Sequence, residues 1–459
     1  MSTKRTVFAP SVAIALCAVA GMSFSALAAD FYVSSDKSYG VAEGADPDHI
    51  FDDLQLAINA AAAEDTVWVE DGFVCESGVT NATVNKTTVQ TRLRVDKALT
   101  ITSRSGDWRT GAVIRGKYAD DYDPTKATRE AIDKTKSGAG AVSCVVCASK
   151  SVVFRGFRVT DGATINVEKY GGGAQSGTFT NCLFSGCAAY MHGGACNSST
   201  VEDCVISNCC AATTNSVTPR GGGAADSVLR RCLVVDCYSS GQGGGMGGST
   251  AYDCTVFKCS SGYGGAARDS HVYRSLMYEC SASNSGGAGY QAYFYDCIVS
   301  NCTASTAGGA ASMYVLDGTR FVENGGTCVL NIGSASELIT NCTVIAKSGA
   351  ALCALKTVQT SGQVVDCTLV SLNGVGVKVG NDNGNARINL RRCAVTVPQG
   401  QYATKCEMST KYPQQTRVLN AWDCTFNGGL SGCGNYYNCQ VKGATMADAL
   451  INNNGEFRQ

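Results

Sequence analysis

The sequence predicts an all-β protein: a right-handed parallel β-helix with a short N-terminal capping helix. Two observations predict this fold class. A unit of about 22 residues recurs seven times between Gly171 and Asn324, and so short and regular a period is typical of stacked-repeat architectures. The unit shows no helical periodicity, and its β-branched and aromatic residues come in short runs bounded by Gly, Ser and Asn. We therefore expect each unit to form one coil of three short strands and three bends.

Each unit begins with a glycine cluster, continues through a strand-like run to a cysteine, and usually has a second cysteine five residues later. The glycine clusters are Gly171-Gly172-Gly173, Gly193-Gly194, Gly221-Gly222-Gly223, Gly243-Gly244-Gly245, Gly264-Gly265, Gly286-Gly287 and Gly308-Gly309. The cysteine pairs are Cys182/Cys187, Cys204/Cys209, Cys232/Cys237, Cys254/Cys259 and Cys297/Cys302. Ser275 replaces the first cysteine of the fifth unit, and Thr319 and Asn324 replace both in the seventh. Successive first-cysteine positions lie 22, 28, 22, 21, 22 and 22 residues apart.

Equivalent residues of successive units are expected to stack in columns, about 4.8 Å apart, the spacing of neighbouring strands. Two columns are predicted to form the core. The first is Phe179, Val201, Leu229, Ala251, Val272, Phe294 and Leu316, and the second is Phe184, Ile206, Val234, Val256, Met277, Val299 and Phe321. A hydroxyl column contains Ser199, Ser227, Ser249 and Ser270. A charged column, Asp203, Arg231, Asp253, Arg274 and Asp296, alternates in sign, which favours stacking because opposite charges attract across neighbouring strands.

Residues 1–28 are predicted to be a secretory signal peptide. Lys4 and Arg5 give a basic start, an apolar run follows, and Ala26-Leu27-Ala28 resembles a cleavage site. That apolar run is too short to cross the ~30 Å hydrocarbon layer of a membrane, and we expect no transmembrane segment after its removal. The mature chain is therefore expected to be secreted, periplasmic or at the cell surface.

The rest of the chain divides into a cap, a solenoid and a tail. Residues 29–72 are expected to form the N-terminal cap, with Leu54, Ala57, Ile58 and Ala61 on one face of a short helix that covers the end of the stack. The β-helix is expected over 73–440, with its regular repeats at 171–324 and an irregular polar loop at 117–140. Residues 441–459 are the predicted C-terminal tail.

The net charge and the numbers of cysteine and histidine residues exclude some classes of function. The formal net charge is −1, which gives no basic patch for nucleic acid. The 26 cysteines suit an oxidising compartment, and from the sequence they could be buried thiols, disulfides or metal ligands. The three histidines are not clustered as metal sites require, so we expect neither a metal nor a cofactor. Cys144 and Cys147 have redox-type spacing, but their strand-like context favours a structural role.

Several motifs resemble known families. Leu54-Gln55-Leu56-Ala57-Ile58 and Asp65-Thr66-Val67-Trp68-Val69 resemble the entry of pectin-lyase-like right-handed β-helix proteins. Gly308-Gly309-Ala310 and Phe321-Val322-Glu323-Asn324 resemble the repeats of chlamydial polymorphic membrane proteins. Those proteins end in a transmembrane barrel, and no set of alternating strands follows in this sequence. The resemblance implies the fold, whereas function differs widely among its lyases, hydrolases and adhesins.

One constellation could support catalysis. Asp226 and Asp269 occupy the same column two coils apart, so about 9.6 Å by strand spacing. Gly248 lies between them and would leave a notch, and Arg268 is adjacent. Two carboxylates about 6.5–9.5 Å apart suit an inverting glycoside hydrolase. The alternative is a pair of solvated turn aspartates.

Two outward columns could instead bind a partner. The first is an aliphatic stripe, Leu183, Val205, Leu233, Leu276 and Ile298, interrupted by Thr255. The second is the column Tyr252, Tyr273 and Tyr295, which is expected to present stacked aromatic rings suited to sugar or protein contacts. The stripe is either a contact surface or is covered by the loop 117–140. We expect an exported, non-catalytic, adhesin-like scaffold that binds carbohydrate or a surface protein. The main alternative is a polysaccharide hydrolase or lyase on the same fold, and the other is a structural envelope protein that is cross-linked through its cysteines.

Overall fold

The computed structural model describes residues 28–84, 86–165, 170–214, 217–306, 308–312, 314–332, 337–354, 361–380, 385–407, 417–442 and 449–451. The predicted signal peptide, apart from Ala28, and most of the predicted tail lie outside these ranges. Within them the chain winds into coils whose strands pair in parallel with the strands of the next coil. The predicted parallel β-helix is therefore confirmed, and a right-handed wind is the sense that parallel-strand crossovers favour.

The regular coils contribute strands to four sheets, numbered here in chain order from the glycine cluster. The sequence predicted three strands a coil. A fourth strand was missed because it is short and rich in serine, which carries no strand signal.

Sheet 1 follows the glycine clusters. Its strands are Thr80–Val84, Thr87–Val95, Ser143–Cys147, Ala174–Gln175, Cys196–Asn197, Ala224–Ala225, Met246–Gly247, Ala267–Arg268, Gly289–Tyr290, Ala311–Ser312, Cys328–Asn331, Ala350–Ala354, Val377–Val379, Tyr402–Cys406 and Gly429–Tyr437. Its first pair, Thr80–Val84 with Thr87–Val95, is antiparallel.

Sheet 2 comes next in each coil. Its strands are Asp30–Val33, Ile50–Phe51, Thr66–Val69, Thr100–Ser103, Val153–Arg155, Thr178–Thr180, Thr200–Glu202, Val228–Arg230, Thr250–Tyr252, His271–Tyr273, Tyr293–Tyr295, Val315–Asp317, Leu338–Thr340, Ser361–Val365, Ala386–Arg391 and Arg417–Trp422. Gly429–Tyr437 also pairs with Arg417–Trp422 and with Ala449–Ile451, so it joins sheets 1 and 2.

Sheets 3 and 4 complete the coil. The strands of sheet 3 are Val74–Cys75, Val113–Arg115, Arg158–Thr160, Leu183–Ser185, Val205–Ser207, Leu233–Val235, Thr255–Phe257, Leu276–Tyr278, Ile298–Ser300, Arg320–Asn324, Thr343–Ala346, Thr368–Ser371, Ala394–Thr396, Thr425–Asn427 and Gln440–Lys442. The strands of sheet 4 are Ala188–Ala189, Cys210–Ala211, Tyr238–Gln242, Ser260–Tyr263, Ser281–Ser285 and Thr303–Ala304. Among the described residues, the strands of sheet 4 therefore occur only along the regular repeats.

Helices are short and lie outside the coils. They are Ser38–Ala42, the 3-10 turn Pro47–His49, Leu54–Ala60 and Arg129–Asp133. The helix Leu54–Ala60 follows Asp53, whose side chain accepts a hydrogen bond from the Leu56 amide. This capping arrangement stabilises the start of a helix. Leu54, Ala57 and Ile58 of that helix are buried against the first coil.

The two predicted core columns are in register and buried. Phe179 pairs with Val201 and Phe184 with Ile206, and the match continues along the stack. No residue of either column is more than 1% exposed. One apolar core runs from Phe31 to Cys439, and burial of this surface is the main force that holds the coils together.

Single residues with positive φ form the corners between sheets. Between sheets 2 and 3 they include the charged column: Asp203 (φ 52), Arg231 (φ 50), Asp253 (φ 54), Arg274 (φ 46) and Asp296 (φ 53). These side chains stack as predicted, but at a bend rather than within a strand. Arg231 forms two hydrogen bonds with Asp203, of 2.7 and 2.9 Å. Such pairing across coils offsets part of the strain of a left-handed residue.

At many corners the next residue points inward and accepts a hydrogen bond from a backbone amide of the preceding coil. The Ser199 amide donates to Ser227 Oγ at 3.1 Å, and the Cys232 amide to Cys254 Sγ at 3.4 Å. Ser275, Thr319 and Asn324 stand in cysteine columns and accept the same bond: from Cys254 at 3.0 Å, Cys297 at 3.3 Å and Cys302 at 2.8 Å. The cysteines are therefore replaceable because a hydroxyl or amide oxygen satisfies the same buried amide.

The glycine clusters allow sheet 1 to approach sheet 4 closely. Gly264 has a φ of +68°, which a side chain would strain. A Cβ on Gly265 would lie 2.2 Å from the Gly287 carbonyl oxygen and 2.5 Å from that of Ser281. The second glycine of the cluster therefore leaves no room for a side chain.

The loop 117–140, called the excursion below, leaves the solenoid after the sheet 3 strand Val113–Arg115 and returns before the sheet 1 strand Ser143–Cys147. Its helix, Arg129–Asp133, carries Arg129, whose guanidinium binds the Asp236 carboxylate and, at 3.2 Å, Asn208 Oδ1. Asp133 and Lys136 form an ion pair of 2.8 Å with side chains only 3% and 7% exposed. The excursion thus packs on sheet 4 and its adjacent corner.

Candidate functional site

The two predicted catalytic carboxylates occupy one corner column but are engaged by arginines. Asp226 and Asp269 are left-handed corner residues between sheets 1 and 2, with φ of 48° and 49°. Both oxygens of Asp226 lie 3.4 Å from Arg220 Nη2, and Asp269 lies 3.0 Å from Arg268 Nε. Each acid is therefore paired with an arginine that lies close to it in the sequence.

The notch expected at Gly248 is filled. A Cβ on Gly248 would lie 2.4 Å from Asp226 Oδ1, so the Asp226 carboxylate leans over the glycine toward the next coil. The expectation of an open space between the two acids is wrong. The spacing of residues in a column predicts where backbone positions stack, but not that an aspartate side chain turns over a glycine in the next coil.

Arg268 takes a packing position. Its side chain is 14% exposed, and its guanidinium carbon lies 4.9 Å from the centroid of the Tyr290 ring. An arginine over an aromatic face is stabilised there by the ring quadrupole. The nearby Tyr314 has its phenol pKa raised, first by burial and then by the charge of Asp269, so it stays protonated at neutral pH and can donate a hydrogen bond.

The predicted tyrosine column is a continuous ring stack on sheet 2. Tyr252 and Tyr273 lie 4.9 Å apart with an interplanar angle of 11°, and Tyr273 and Tyr295 lie 4.8 Å apart at 9°. The guanidinium of Arg230 lies 4.7 Å from the Tyr252 ring at the start of the stack. The inner ring faces are thus covered by one another. What the column offers to a partner is ring edges and a row of hydroxyl groups.

The predicted aliphatic stripe lies on the outward face of sheet 3. Leu183, Val205, Leu233, Leu276 and Ile298 are in register from coil to coil through Thr255. They are half-buried, apart from Ile298, which is 48% exposed. The excursion, which the sequence offered as a possible cover for this stripe, packs on sheet 4 instead.

A second outward column on sheet 3 extends the stripe. It contains Val235, Phe257 and Tyr278. The rings of Phe257 and Tyr278 are stacked at 4.9 Å with an interplanar angle of 5°. We call the stripe and this column together the sheet 3 face.

A groove outside sheet 4 was missed by sequence reasoning. It has a volume of about 520 Å³ where Glu130 and Tyr238 meet the serines of the next three coils. It continues past Ser240, Gly262 and Ser283 into a space of about 410 Å³ that Tyr263 lines. The signal that could have found it is the serine-rich stretch after each second cysteine, Ser239-Ser240, Ser260-Ser261 and Ser281-Ala282-Ser283.

Twenty-four cysteines whose side chains the structure describes are in no disulfide, and among these all but the half-buried Cys75 are buried. Cys144 and Cys147 lie in one sheet 1 strand, and burial raises the pKa of the Cys147 thiol. A thiol with a raised pKa is a poor nucleophile. Over the described ranges, His, Cys, Asp and Glu form no group of three that could hold a metal ion.

In the part of the chain that the structure describes, no helix has both the length and the apolar character needed to cross a membrane.

Neither a scan of protein-family models nor a search of curated proteins found a match to this sequence. Among solved structures, the chain is similar to a mannuronic acid specific polysaccharide family 6 lyase from human gut microbiota, at 10% identity and a TM-score of 0.39, over 87% of this chain and 86% of that one. It is also similar to a PL6 family polysaccharide lyase from Pseudopedobacter saltans, at 9% identity and a TM-score of 0.37, over 81% and 90%.

A third similar structure is the catalytic unit of a GH87 alpha-1,3-glucanase from Streptomyces thermodiastaticus, at 12% identity and a TM-score of 0.33, over 94% of this chain and 69% of that one. Likenesses this distant assign no activity to this chain. Its function has to be argued from its own surfaces.

Proposed function

We propose that this chain is an exported, non-catalytic, adhesin-like scaffold that holds a partner protein against the sheet 3 face. The observation that carries the proposal is the composition of this face, which has apolar side chains along its middle and charged side chains along both long edges. Leu233, Leu276 and Ile298 stand in its middle column beside the stacked rings of Phe257 and Tyr278. An apolar centre within a polar rim is typical of protein interfaces.

The charged rims come from the corners on each side of sheet 3. One rim is the column of Asp203, Arg231, Asp253, Arg274 and Asp296. The other contains Asn208, Asp236, Lys258, Glu279, Asn301 and Glu323. Both rims carry both signs, so they can set the position of a partner along the stack without favouring an acidic or a basic one.

The alternative of a carbohydrate-active enzyme rests on Asp226, Asp269 and Arg268. Each of the two acids is engaged by its own arginine, and Arg268 is packed on Tyr290. An inverting hydrolase needs room for a water molecule between its two carboxyl groups, and the Asp226 carboxylate lies over Gly248, where that space was expected. This alternative is therefore less well supported than the scaffold.

Export rests on the predicted signal peptide at 1–28, and the adhesin-like role is in keeping with the repeat motifs that resemble chlamydial polymorphic membrane proteins. Both are part of the proposal. A solenoid of this kind suits the role because each coil adds surface without requiring a larger core.

The experiment compares the purified mature chain with a double variant, Leu233→Asp and Leu276→Asp, for binding to intact epithelial and bacterial cells. Two carboxylates in the apolar middle of the face should lower binding at least about tenfold, since each would be desolvated without a partner. Protease treatment of the cells should abolish binding of the unmodified chain. Thr250→Asp, which adds the same charge to the outward face of sheet 2, should bind normally.

Several outcomes would overturn the proposal. Binding that the folded double variant retains, or that survives protease treatment of the cells, would exclude the sheet 3 face as a protein-contact surface. Failure of the unmodified chain to bind any of the cells would also overturn the proposal. Turnover of alginate, pectate or a neutral glucan that Asp269→Asn abolishes would favour the enzyme instead.

A further inference from the structure

We infer that the groove outside sheet 4 is a binding site for a neutral glycan chain. This site is distinct from the sheet 3 face and does not depend on it. Four coils form the floor of the groove, through the strands Tyr238–Gln242, Ser260–Tyr263, Ser281–Ser285 and Thr303–Ala304. At the usual strand spacing these span about 14 Å along the stack.

Two outward columns of small polar residues make up the floor. One continues from Tyr238 through Ser260, Ser281 and Thr303, and the other contains Ser240, Gly262, Ser283 and Ser305. Ser281, Ser283, Thr303 and Ser305 are exposed. Hydroxyl groups both donate and accept hydrogen bonds, and they can rotate to suit either role. A ladder of them at regular spacing therefore matches a ligand that itself carries repeated hydroxyl groups.

The charge of the groove lining indicates whether the glycan is neutral or acidic. The charged side chains that line the groove are Glu130 and Lys134, from the excursion helix and its end. They form an ion pair of 2.6 Å with each other, and this contact is the main reason why the pKa of Glu130 is lowered. Because the pair is neutral and the floor carries hydroxyl groups, the groove provides no charge to attract a uronate or sulfate. It therefore fits a neutral glycan.

Aromatic side chains stand at two positions in the groove. Tyr238 lies beside Glu130 where the excursion ends, and Tyr263 lines the continuation beyond Gly262. The ring of Tyr263 meets Tyr290 at 5.0 Å with an interplanar angle of 54°, a tilt that the parallel stack on sheet 2 does not show. Apolar rings beside polar groups are the usual composition of ligand sites, in which a few polar groups set orientation.

The excursion determines where the groove begins. It packs over the first two strands of sheet 4, where Ala188 and Cys210 share a cluster with Ala119 and Ala141. Arg129 fastens its helix to the solenoid at Asp236 and Asn208. The next four coils are left open, so the excursion helix forms one end wall rather than a cover.

The test is calorimetric titration of the full mature chain with hexasaccharides of cellulose, xylan, mannan and laminarin, and with oligogalacturonate and oligomannuronate. At least one neutral hexasaccharide should bind, and the two acidic ones should bind at least tenfold more weakly. The combined variant Ser281→Ala, Ser283→Ala and Thr303→Val should weaken neutral binding about tenfold or more, since it removes three hydroxyl groups from the floor.

The matched control is Thr200→Ala, which removes an outward hydroxyl from sheet 2 and should leave affinity unchanged. Ser283→Arg, which fills the groove at an exposed position, should abolish binding, and circular dichroism would verify that each variant is folded. The inference is overturned if no neutral hexasaccharide binds, if the acidic ligands bind as tightly, or if the triple variant binds normally. The sheet 3 double variant should retain glycan binding, so the two proposals succeed or fail separately.

Discussion

Arg274 holds the carboxylate of Asp253 on the preceding coil through two hydrogen bonds, Nε to Oδ1 at 2.8 Å and Nη2 to Oδ2 at 2.9 Å. The two residues are 21 positions apart in the sequence, and both are corner residues with positive φ. Arg392 binds Asp366 in the same way, at 2.6 and 2.7 Å. Two-pronged contacts of this kind fix the register of one coil on the next.

These pairs predict how stability responds to acid. Hydrogen bonds from arginine lower the pKa of Asp203, Asp253 and Asp366 in the folded chain. A lowered folded pKa contributes stability that is complete above the unfolded value of about 3.9 and is lost as the pH falls through the folded pKa. The urea midpoint should therefore be steady near neutral pH and fall below about pH 4.

A variant with Arg231, Arg274 and Arg392 replaced by Gln tests whether the Asp–Arg pairs cause the loss of stability in acid. It should lose less stability on acidification than the unmodified chain, because its aspartates no longer gain from ionisation. An identical pH profile for the two chains would show that these pairs do not produce the acid response.

Cys254 is predicted to be replaceable by Ser but not by Ala. Its sulfur accepts the Cys232 amide at 3.4 Å, and Ser275 already fills the same role one coil later. Cys254→Ala leaves that buried amide unpaired, which costs about 1–3 kcal/mol. Cys254→Ser should lower the free energy of unfolding in urea by less than half as much. Equal losses for the two variants would show that the hydrogen bond from the Cys232 amide does not stabilise the stack.

Gly265 is predicted to tolerate no side chain. Gly265→Ala would place a methyl group 2.2 Å from the Gly287 carbonyl oxygen, and overpacking of this kind costs about 1–3 kcal/mol or more. The matched control is Gly325→Ala, whose Cβ would meet only Thr303 Cγ2, at an ordinary 3.5 Å. A urea midpoint for Gly265→Ala that equals that of the control would contradict the close approach of sheets 1 and 4.

The excursion is predicted to detach when its buried ion pair is broken. Asp133→Ala leaves Lys136 buried without its partner, and removal of one member of a buried pair costs about 3–5 kcal/mol. That loss should appear as faster hydrogen exchange over 117–140, while sheets 2 and 3 stay protected. Lys126→Ala, which breaks the exposed pair with Asp123, should leave exchange unchanged.

Residue spacing was enough to predict the stacking, since Phe179 pairs with Val201 and Arg274 with Asp253 as expected. Three features could not be predicted because they depend on side-chain direction or on weak local signals. Asp226 folds over Gly248, which closes the expected notch. The rings of Tyr252 and Tyr273 stack as expected, but the stacking covers the ring faces that a sugar would need.

The third feature is sheet 4 and its groove. Ser260 and Ser281 pair in register, although serine carries little preference for strands. Their strands form because the flanking coils hold them there, a tertiary effect that no single repeat shows. The groove also needs the excursion as its end wall, and the contact of Arg129 with Asp236 joins residues 107 positions apart.

The most direct test of the account is a pair of distances along sheet 2, whose outward residues should rise by one strand spacing per coil. Spin labels attached through genetically encoded ketone residues, which avoid the native cysteines, would be placed at Thr178 with Tyr293 and at Thr178 with Leu338. Five and seven strand spacings separate these pairs, so the second distance should exceed the first by about 10 Å. Equal distances, or a second distance shorter than the first, would show that equivalent residues are not stacked.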